Sequence, residues 1–584
     1  MSCRTTTALR RRAARAAAAV VGAALLAGCV GMPTSGPVEV PEVTTGADDV
    51  PGVSFDPRPP RDGEPAADIV EGFLEAMKAA PVGTSVAKKF LSREAAEAWA
   101  PEQQVITYAE IGDPTTGTSM RLPMTDVNRY DARGAWQRTQ GGAQLPIGLV
   151  EEDGEWRIDE VPDALVVPDS WFDDWYQRAS LYYFDPASEV LVPEPVFVPR
   201  GEQFASSLVQ GLVTPLPPEM GEVVRTYFPA GTTQGLSVPI VSGIASVDLS
   251  GDPDAVDGET AERMLAQLVW TLRQDLDINA VQLSIGGRPF SFQGGSTQVN
   301  LGGVGADYDP NGVVPTTSLF ALDEGLVVSG ALGSLEPTLG PFGQGDYGLR
   351  SIGVSISGDR VAGVSTTGSD LLIAPTDAAT GEVTTISIGA IDLAPPSWDH
   401  RGRIWLLDRG DGSARVILVV DGTHAEVQVP GLSRRRLTKL LVSRDGTRLV
   451  AVLRGRKADR VVSTRIRHDA AGAVVGFTPL RTLPLVLEGK ARIRDVGWRS
   501  PTTVSVLSDI TAGSQVRTLS VDGAPGEIAA GGTTRLRGAN RAIVSAPTDS
   551  EVFALAGRAV TSLTRPERSV PDLPKGLTSL TYVG

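Results

Sequence analysis

Three glycines spaced 44 residues apart constrain the C-terminal half of this chain more than any other feature. Gly358, Gly402 and Gly446 each sit in a short polar turn that runs into an apolar stretch: SGDRVAGV, DHRGRIWLLD and SRDGTRLVAVL, with a looser echo at WRSPTTVSVLS. Apolar alternations fall at residues 354–364, 404–407, 449–453, 503–507 and 552–555. A period of roughly 40 to 50 residues is the length of one four-stranded propeller blade. Residues 315–584 therefore read as an all-β propeller with room for about five or six blades. A pair of β-sandwiches with coincidental spacing is the competing expectation.

Upstream the pattern changes to mixed helix and strand, so the chain is multidomain. Ile69, Val70, Phe73, Leu74 and Met77 fall on one face of a helix. Residues 92–99 read as a second helix capped by Ser92. Extended segments follow at 105–111 and 134–138. Two more, 145–150 and 156–161, flank a hairpin turn containing Asp153-Gly154. Residues 62–175 are thus expected to form an α+β domain, loosely similar to the NTF2-like cone.

Residues 176–295 carry the strongest local pattern. A strand at 181–184, a turn at Asp185-Pro186-Ala187-Ser188 and an extended run at 190–199 precede a helix at 202–213. A strand at 244–249 leads to Asp252, Asp254, Asp257 and Glu259, the acidic start of a helix burying Met264, Leu265, Leu268, Val269 and Leu272. A strand at 280–285 closes on Gly286-Gly287. The stretches LYYFDPASEVLVPEPVFVPRGE, LVQGLVTP, ASVDLS, AERMLAQLVWTLRQ and INAVQLSIGGRPF resemble the GerMN domain, a small α+β module of cell-envelope proteins. The resemblance carries no catalytic residues.

The first 28 residues read as a signal segment: basic at 1–15, apolar at 16–26, and closed by Leu26-Ala27-Gly28-Cys29. The apolar part falls short of the roughly 20 residues that a spanning helix needs and suits a signal peptide. An ordinary basic n-region fits Arg10-Arg11-Arg12 better than a twin-arginine signal does. The sequence LAGC resembles the lipobox of bacterial lipoproteins. That resemblance implies cleavage before Cys29, an S-diacylglycerol thioether on its sulfur, and a new amine open to palmitoylation. Small side chains at Ala27 and Gly28 let a peptidase approach the backbone. The expected location is the outer face of the cytoplasmic membrane, by lipid anchor. Residues 29–61, rich in proline, form a tether with a reach on the order of 30 Å. The only cysteines are Cys3 and Cys29, so the mature body can hold no disulfide and no cysteine-bound metal.

Net charge is -16, and losing a leader with five arginines and no acid leaves about -21. Such a total disfavours nucleic acid and anionic lipid or wall polymers and favours proteins or neutral glycans as partners. No catalytic, cofactor-binding or metal residue is assigned. His400, His424 and His468 show no ligand spacing, and His400 in Trp398-Asp399-His400-Arg401 reads as a blade-turn residue. Gly343, Gly345 and Gly348 spell GxGxxG, but Pro337 and Pro341 precede them and an extended segment follows, the reverse of a dinucleotide fingerprint. Asp252, Asp254 and Asp257-Gly258 miss calcium-loop spacing and read as helix-capping acids.

Lipobox, tether opening CVGMPTSGPV, α+β domain, GerMN module and propeller, in that order, resemble the LpqB family of actinobacterial lipoproteins along nearly the whole chain. The resemblance implies a non-enzymatic accessory of a two-component system. It implies association with the extracytoplasmic domain of a sensor histidine kinase of the MtrB type, and influence on MtrA phosphorylation and envelope homeostasis. Either the GerMN module or the propeller's loop face would dock the kinase. One rival is a wall-glycan binding or scaffolding protein using Trp398, Trp405 or Trp498, although blade core is the expected place for those rings. The other is a hydrolase or lyase with its site in the propeller funnel.

Overall fold

The computed structural model describes residues 55–584 apart from 114–116, 139–142, 293–295, 312–317, 379, 411, 434, 490, 526–532 and 549. The signal segment, the lipobox Leu26, Ala27, Gly28 and Cys29, and the tether as far as residue 54 lie outside the described residues. The proline-rich stretch read as tether to residue 61 is already held at Phe55, whose N–H donates to the Ala80 carbonyl at 3.1 Å. Backbone pairing of this kind needs no apolar side chain, so composition does not reveal it.

The helix Ala66–Ala76 buries Ile69, Val70, Phe73 and Ala76, the expected face. Ser92 caps the helix Arg93–Ala98, its Oγ accepting from the Ala95 N–H at 3.2 Å. Two four-stranded sheets complete this domain. One runs Trp136–Gln137, Asn128–Asp131, Gln104–Tyr108, Leu165–Pro168, and the other Glu110–Ile111, Ser119–Thr125, Ala143–Glu152, Glu155–Glu160. Asp153 and Gly154 turn the last hairpin at φ of 55° and 83°, the left-handed pair that suits strand twist.

In the middle domain, the hairpin Tyr176–Phe184 and Leu191–Pro199 packs on the helices Phe204–Val213 and Gly258–Leu272. Ile244–Leu249 and Ala280–Ile285 pair in parallel, joined by the second helix, as parallel neighbours require a crossover. Asp257 caps that helix, its Oδ1 accepting from the Thr260 N–H at 2.7 Å. This leaves the acid serving a helix start, as its spacing suggested.

The remaining chain folds into six successive antiparallel sheets. The second is Leu349–Val354, Arg360–Ser365, Asp370–Pro375, Thr384–Ser387; the third Ser397–Trp398, Ile404–Asp408, Arg415–Val420, Thr423–Val427. The fourth begins Leu437–Val442, Arg448–Leu453, Arg460–His468 and the fifth Ile493–Ser500, Thr503–Ile510, Gly513–Ser520. The sixth is Ala542–Val544, Phe553–Ala556, Ala559–Ser562. The first sheet is assembled from both ends of the region: Thr578–Thr581 pairs with Leu319–Asp323, which continues to Leu326–Ala331 and Ser334–Pro337.

Six buried apolar clusters each join two sheets. Val354 meets Phe320, Trp398 meets Leu371, Leu449 meets Leu407, Trp498 meets Val450, and Val552 meets Leu507. The sixth, with Val544, Leu319 and Tyr582, joins the last sheet to the first. This is the blade order of a propeller. The residue run 354–364, read as one alternation, is in fact two strands folded at Gly358.

Gly358, Gly402 and Gly446 occupy equivalent turns between the first and second strands of three sheets, at φ of 78°, 70° and 69°. A side chain there would strain the turn, which fixes the 44-residue spacing. Trp398 and Trp405 are 1% exposed and Trp498 7%. Trp398 Nε1 donates to the Gly353 carbonyl (3.1 Å) and Trp498 Nε1 to that of Val442 (3.0 Å), each in the preceding sheet. These rings are therefore core, not a glycan platform. Of the glycine triplet, Gly343 lies on the single helical turn Pro341–Gln344, Gly345 follows its end and Gly348 precedes the strand Leu349–Val354. Helix before strand cannot aim amides at a pyrophosphate as the fingerprint does.

Candidate functional site

First-to-second-strand turns of the propeller face the middle domain, and arginines in or beside them, together with Arg465 of the third strand Arg460–His468, cross the seam. Arg401 reaches Glu189 at 2.7 Å and the buried Asp185 at 3.5 Å. Arg448, itself buried, donates through Nη2 to the Pro193 carbonyl (2.6 Å) and to Glu194 Oε1 (2.9 Å). Arg465 meets the same Glu194 at 2.7 Å. Burial pushes the Arg465 guanidinium down to about 10, with Glu194 opposing and Arg448 reinforcing the shift. Buried charges of this kind persist only when paired, and here each is paired across a domain boundary.

Behind this row stands a second layer. Asp399, fully buried, accepts from Arg403 Nε (2.6 Å) and Trp405 Nε1 (2.9 Å). Arg403 donates from Nη1 to the Gly472 carbonyl (2.9 Å) and from Nη2 to His468 Nε2 (3.1 Å). A guanidinium can only donate, so the His468 tautomer carries its proton on Nδ1. Burial first, then Arg403, pushes His468 down to about 4. It is neutral at ordinary pH.

Beside the seam opens a cavity of about 620 Å³. Glu189, Asp307 and Asp309 line it from the middle-domain side, and Ser357, Arg360, His400 and Arg401 from the propeller. The volume is that of a small-ligand site. Burial raises Asp309 above the usual carboxylate range and lowers His400 below the usual imidazole value. His400 sits in the Asp399–Gly402 turn, as its sequence context suggested, with its backbone N–H bonded to the Arg444 carbonyl at 2.8 Å. Among the described residues no group of three or more His, Cys, Asp or Glu is placed to hold a metal ion. No described helix is long and apolar enough to cross a membrane.

A different surface is open on the middle domain. The strand Ile240–Val241 ends its sheet and pairs only with Ile244–Leu249 among the described residues. Beside it, Asn279 N donates to the Gly243 carbonyl at 2.8 Å, bringing the 275–279 loop alongside. Leu236 is fully exposed, Val241 is 65% exposed and Leu276 76%. An unpaired strand edge carrying apolar side chains is a template for another chain. Sequence reading missed this edge, because exposure is invisible in a run such as LSVPIVSG. It also missed the interdomain arginines, whose partners lie some 250 positions away.

Three family models match consecutive parts of the chain. Residues 59–173 match "Lipoprotein LpqB, N-terminal domain", 180–291 match "Sporulation and spore germination", and 325–570 match "Lipoprotein LpqB beta-propeller domain". Among curated proteins, a "Lipoprotein LpqB" from Streptomyces coelicolor is 29% identical over 552 residues, covering 87% of this chain and 88% of the relative. One from Thermobifida fusca is 27% identical over 576 residues, covering 88% and 90%. One from Mycolicibacterium smegmatis is 28% identical over 466 residues, covering 74% and 77%. Among solved structures, the tandem GerMN domains of the sporulation protein GerM from Bacillus subtilis are 26% identical and cover 23% of this chain and 47% of that one, at a TM-score of 0.19. A nidogen/laminin complex is 13% identical and covers 45% and 97%, at 0.34.

Proposed function

Because the chain belongs to the LpqB family of lipoproteins, we propose that it is held by lipid on Cys29 at the outer face of the cytoplasmic membrane and acts there as a non-enzymatic accessory of a two-component sensor kinase. Membership itself implies a membrane-anchored, extracytoplasmic protein. The accessory role rests on one observation above the rest: the open strand edge Ile240–Val241, flanked by exposed Leu236 and Leu276. A kinase ectodomain confined to the same membrane shell would meet that edge at raised effective concentration. Docking would then bias the kinase between its signalling states by whatever affinity difference the edge has for them.

The seam supports this reading by presenting the middle domain on a firm base. With Arg401, Arg448 and Arg465 fastened to Asp185, Glu189 and Glu194, a partner bound at the edge pulls on the whole body rather than on a loose module. A photo-reactive residue at Val241 or Leu276, activated in intact membranes, tests the proposal. Recovery of a sensor kinase, with phosphorylation of its regulator altered by Val241→Asp, is the expected outcome. Cross-links to other proteins only, with no kinase among them, would refute it.

A further inference from the structure

Alternate turns of an antiparallel meander lie at opposite ends of the sheet. In the propeller, one end faces the middle domain through Arg401 and Arg448. The other end holds the connections into each first strand and the turns between second and third strands. Across a strand such as Leu437–Val442 the two ends are about 17 Å apart.

That far end gathers positive charge in a chain whose total is -16. Arg435 and Arg436 stand in the connection from third to fourth sheet, Arg454, Arg456, Lys457 and Arg460 around the fourth-sheet turn, and Arg492 and Arg494 at the entry to the fifth. Backbone and side-chain bonds join these loops into one surface. Ala414 N donates to the Arg435 carbonyl (3.1 Å), Arg454 N to that of Arg436 (2.8 Å), and Arg492 Nη1 to that of Gly455 (2.8 Å).

Some acids here are buried or already engaged, while Glu324, Asp346, Glu488 and Asp572 at the same end are exposed. Asp459, its side chain fully buried, takes both Arg454 (2.9 Å) and Arg492 (2.8 Å), and Asp509 takes Arg494 (2.7 Å). Arg435, Arg436, Arg456, Lys457 and Arg460 are exposed, with no ion-pair partner among the described residues. The same end exposes Tyr347, Ile391 and Val486 in the connections into the second, third and fifth sheets, with Val486 79% exposed.

Cations interspersed with exposed aliphatic and aromatic side chains suit a headgroup layer, where charge meets phosphate and apolar groups reach the acyl boundary. A soluble acidic partner would call for the charge alone. We propose that this end of the propeller docks on the anionic phospholipid headgroups of the membrane that holds the chain. The docking rests on the anchor reading, since lipid on Cys29 with its tether keeps the propeller within reach of that surface. The two acyl chains of a diacylglyceryl group already make attachment stable, so the basic patch would set the orientation of the propeller on the bilayer. The acidic remainder of the molecule then faces away from the bilayer.

The test uses the full lipidated chain carrying Val486→Cys with a polarity-sensitive fluorophore on that thiol. It is mixed with vesicles of phosphatidylcholine alone or with phosphatidylglycerol. Flotation reads the anchor and emission reads the face. Emission should shift to the blue only with phosphatidylglycerol, and salt should reverse it. In the R435Q/R436Q/R456Q/K457Q background docking should weaken several-hundred-fold, at about fivefold per cation removed. These four side chains are exposed and unpaired, and an unchanged thermal transition verifies that the variant folds. A label that stays in water on anionic vesicles, responds equally to both lipids, or ignores the four substitutions overturns the proposal. A chain that fails to float on phosphatidylcholine refutes the anchor and not the face, because the face is read separately by emission on the phosphatidylglycerol vesicles.

Discussion

Glu194→Gln isolates the seam between the middle domain and the propeller. The carboxylate accepts from Arg448 at 2.9 Å and lies 2.7 Å from Arg465; Arg448 is 2% exposed and Glu194 8%. An amide in its place leaves two guanidinium groups facing each other, with Asp445, 3.7 Å from Arg448, left to offset them. Removing one member of a buried ion pair costs about 3–5 kcal/mol, a large share of the roughly 5–15 kcal/mol that holds a typical native state. Middle domain and propeller each have their own apolar cores, so the loss should appear as uncoupling. Six of the nine tryptophans lie upstream of the propeller, whose strands weigh more in far-ultraviolet circular dichroism, so urea unfolding followed by the two signals should separate into two transitions in the variant. Adding Arg448→Met and Arg465→Met to Glu194→Gln should recover part of the loss, because the two facing guanidinium groups are gone, while buried Asp445 keeps only its hydrogen bonds from Ser443 and Thr447. The reasoning fails if Glu194→Gln alone unfolds in one unchanged transition, with a cost below ~1 kcal/mol.

Three further outcomes are expected. His468, held at about 4 in the folded protein, would titrate at 6.5 in the unfolded chain. The folded state binds fewer protons, so this contribution is fully present above pH 6.5 and is lost as pH falls toward 4. It is worth up to ~3 kcal/mol, and urea midpoints of His468→Gln should show a shallower fall than wild type over that window. Gly353→Ala would place a methyl 2.2 Å from the Pro396 carbonyl oxygen, beneath the bond to Trp398, and should cost about 1–3 kcal/mol by thermal unfolding. Truncation before Thr578 removes the strand paired with Leu319–Asp323 and the Val583 carbonyl that holds Arg444 at 2.6 Å, and should leave the propeller sensitive to limited proteolysis under conditions where the full chain resists.

What was legible in the sequence follows from burial. The second strands Arg360–Ser365, Ile404–Asp408, Arg448–Leu453 and Thr503–Ile510 lie between neighbouring strands and between sheets, so they read as apolar runs. The outer strands Thr384–Ser387 and Thr423–Val427 are mostly exposed and polar, and gave no signal. Ser119–Thr125 alternates cleanly between exposed and buried, yet Pro123 and its methionines disguise it, because an interior proline argues against a strand. The turn glycines revealed three sheets only, since the fifth turns at Ser500–Thr503 without glycine. The seam was hidden because its arginines and carboxylates are far apart in the chain. Net charge also hides distribution: a total of -16 gives no sign that exposed Arg435, Arg436, Arg456, Lys457 and Arg460 gather at one end of the propeller.

The pairing of Thr578–Thr581 with Leu319–Asp323 sets an order of events. A chain delivered amino end first presents Leu319–Asp323 long before its neighbour exists, and that edge must wait through five intervening sheets. Until then the ring is open, and the missing strand pairing is the most distant in sequence among the described strands, the kind that forms slowly and leaves strands exposed. Completion of the first sheet therefore waits on the strand Thr578–Thr581. A ribosome that stops early releases a product with a permanent unpaired edge, which envelope proteases can recognise without any dedicated signal.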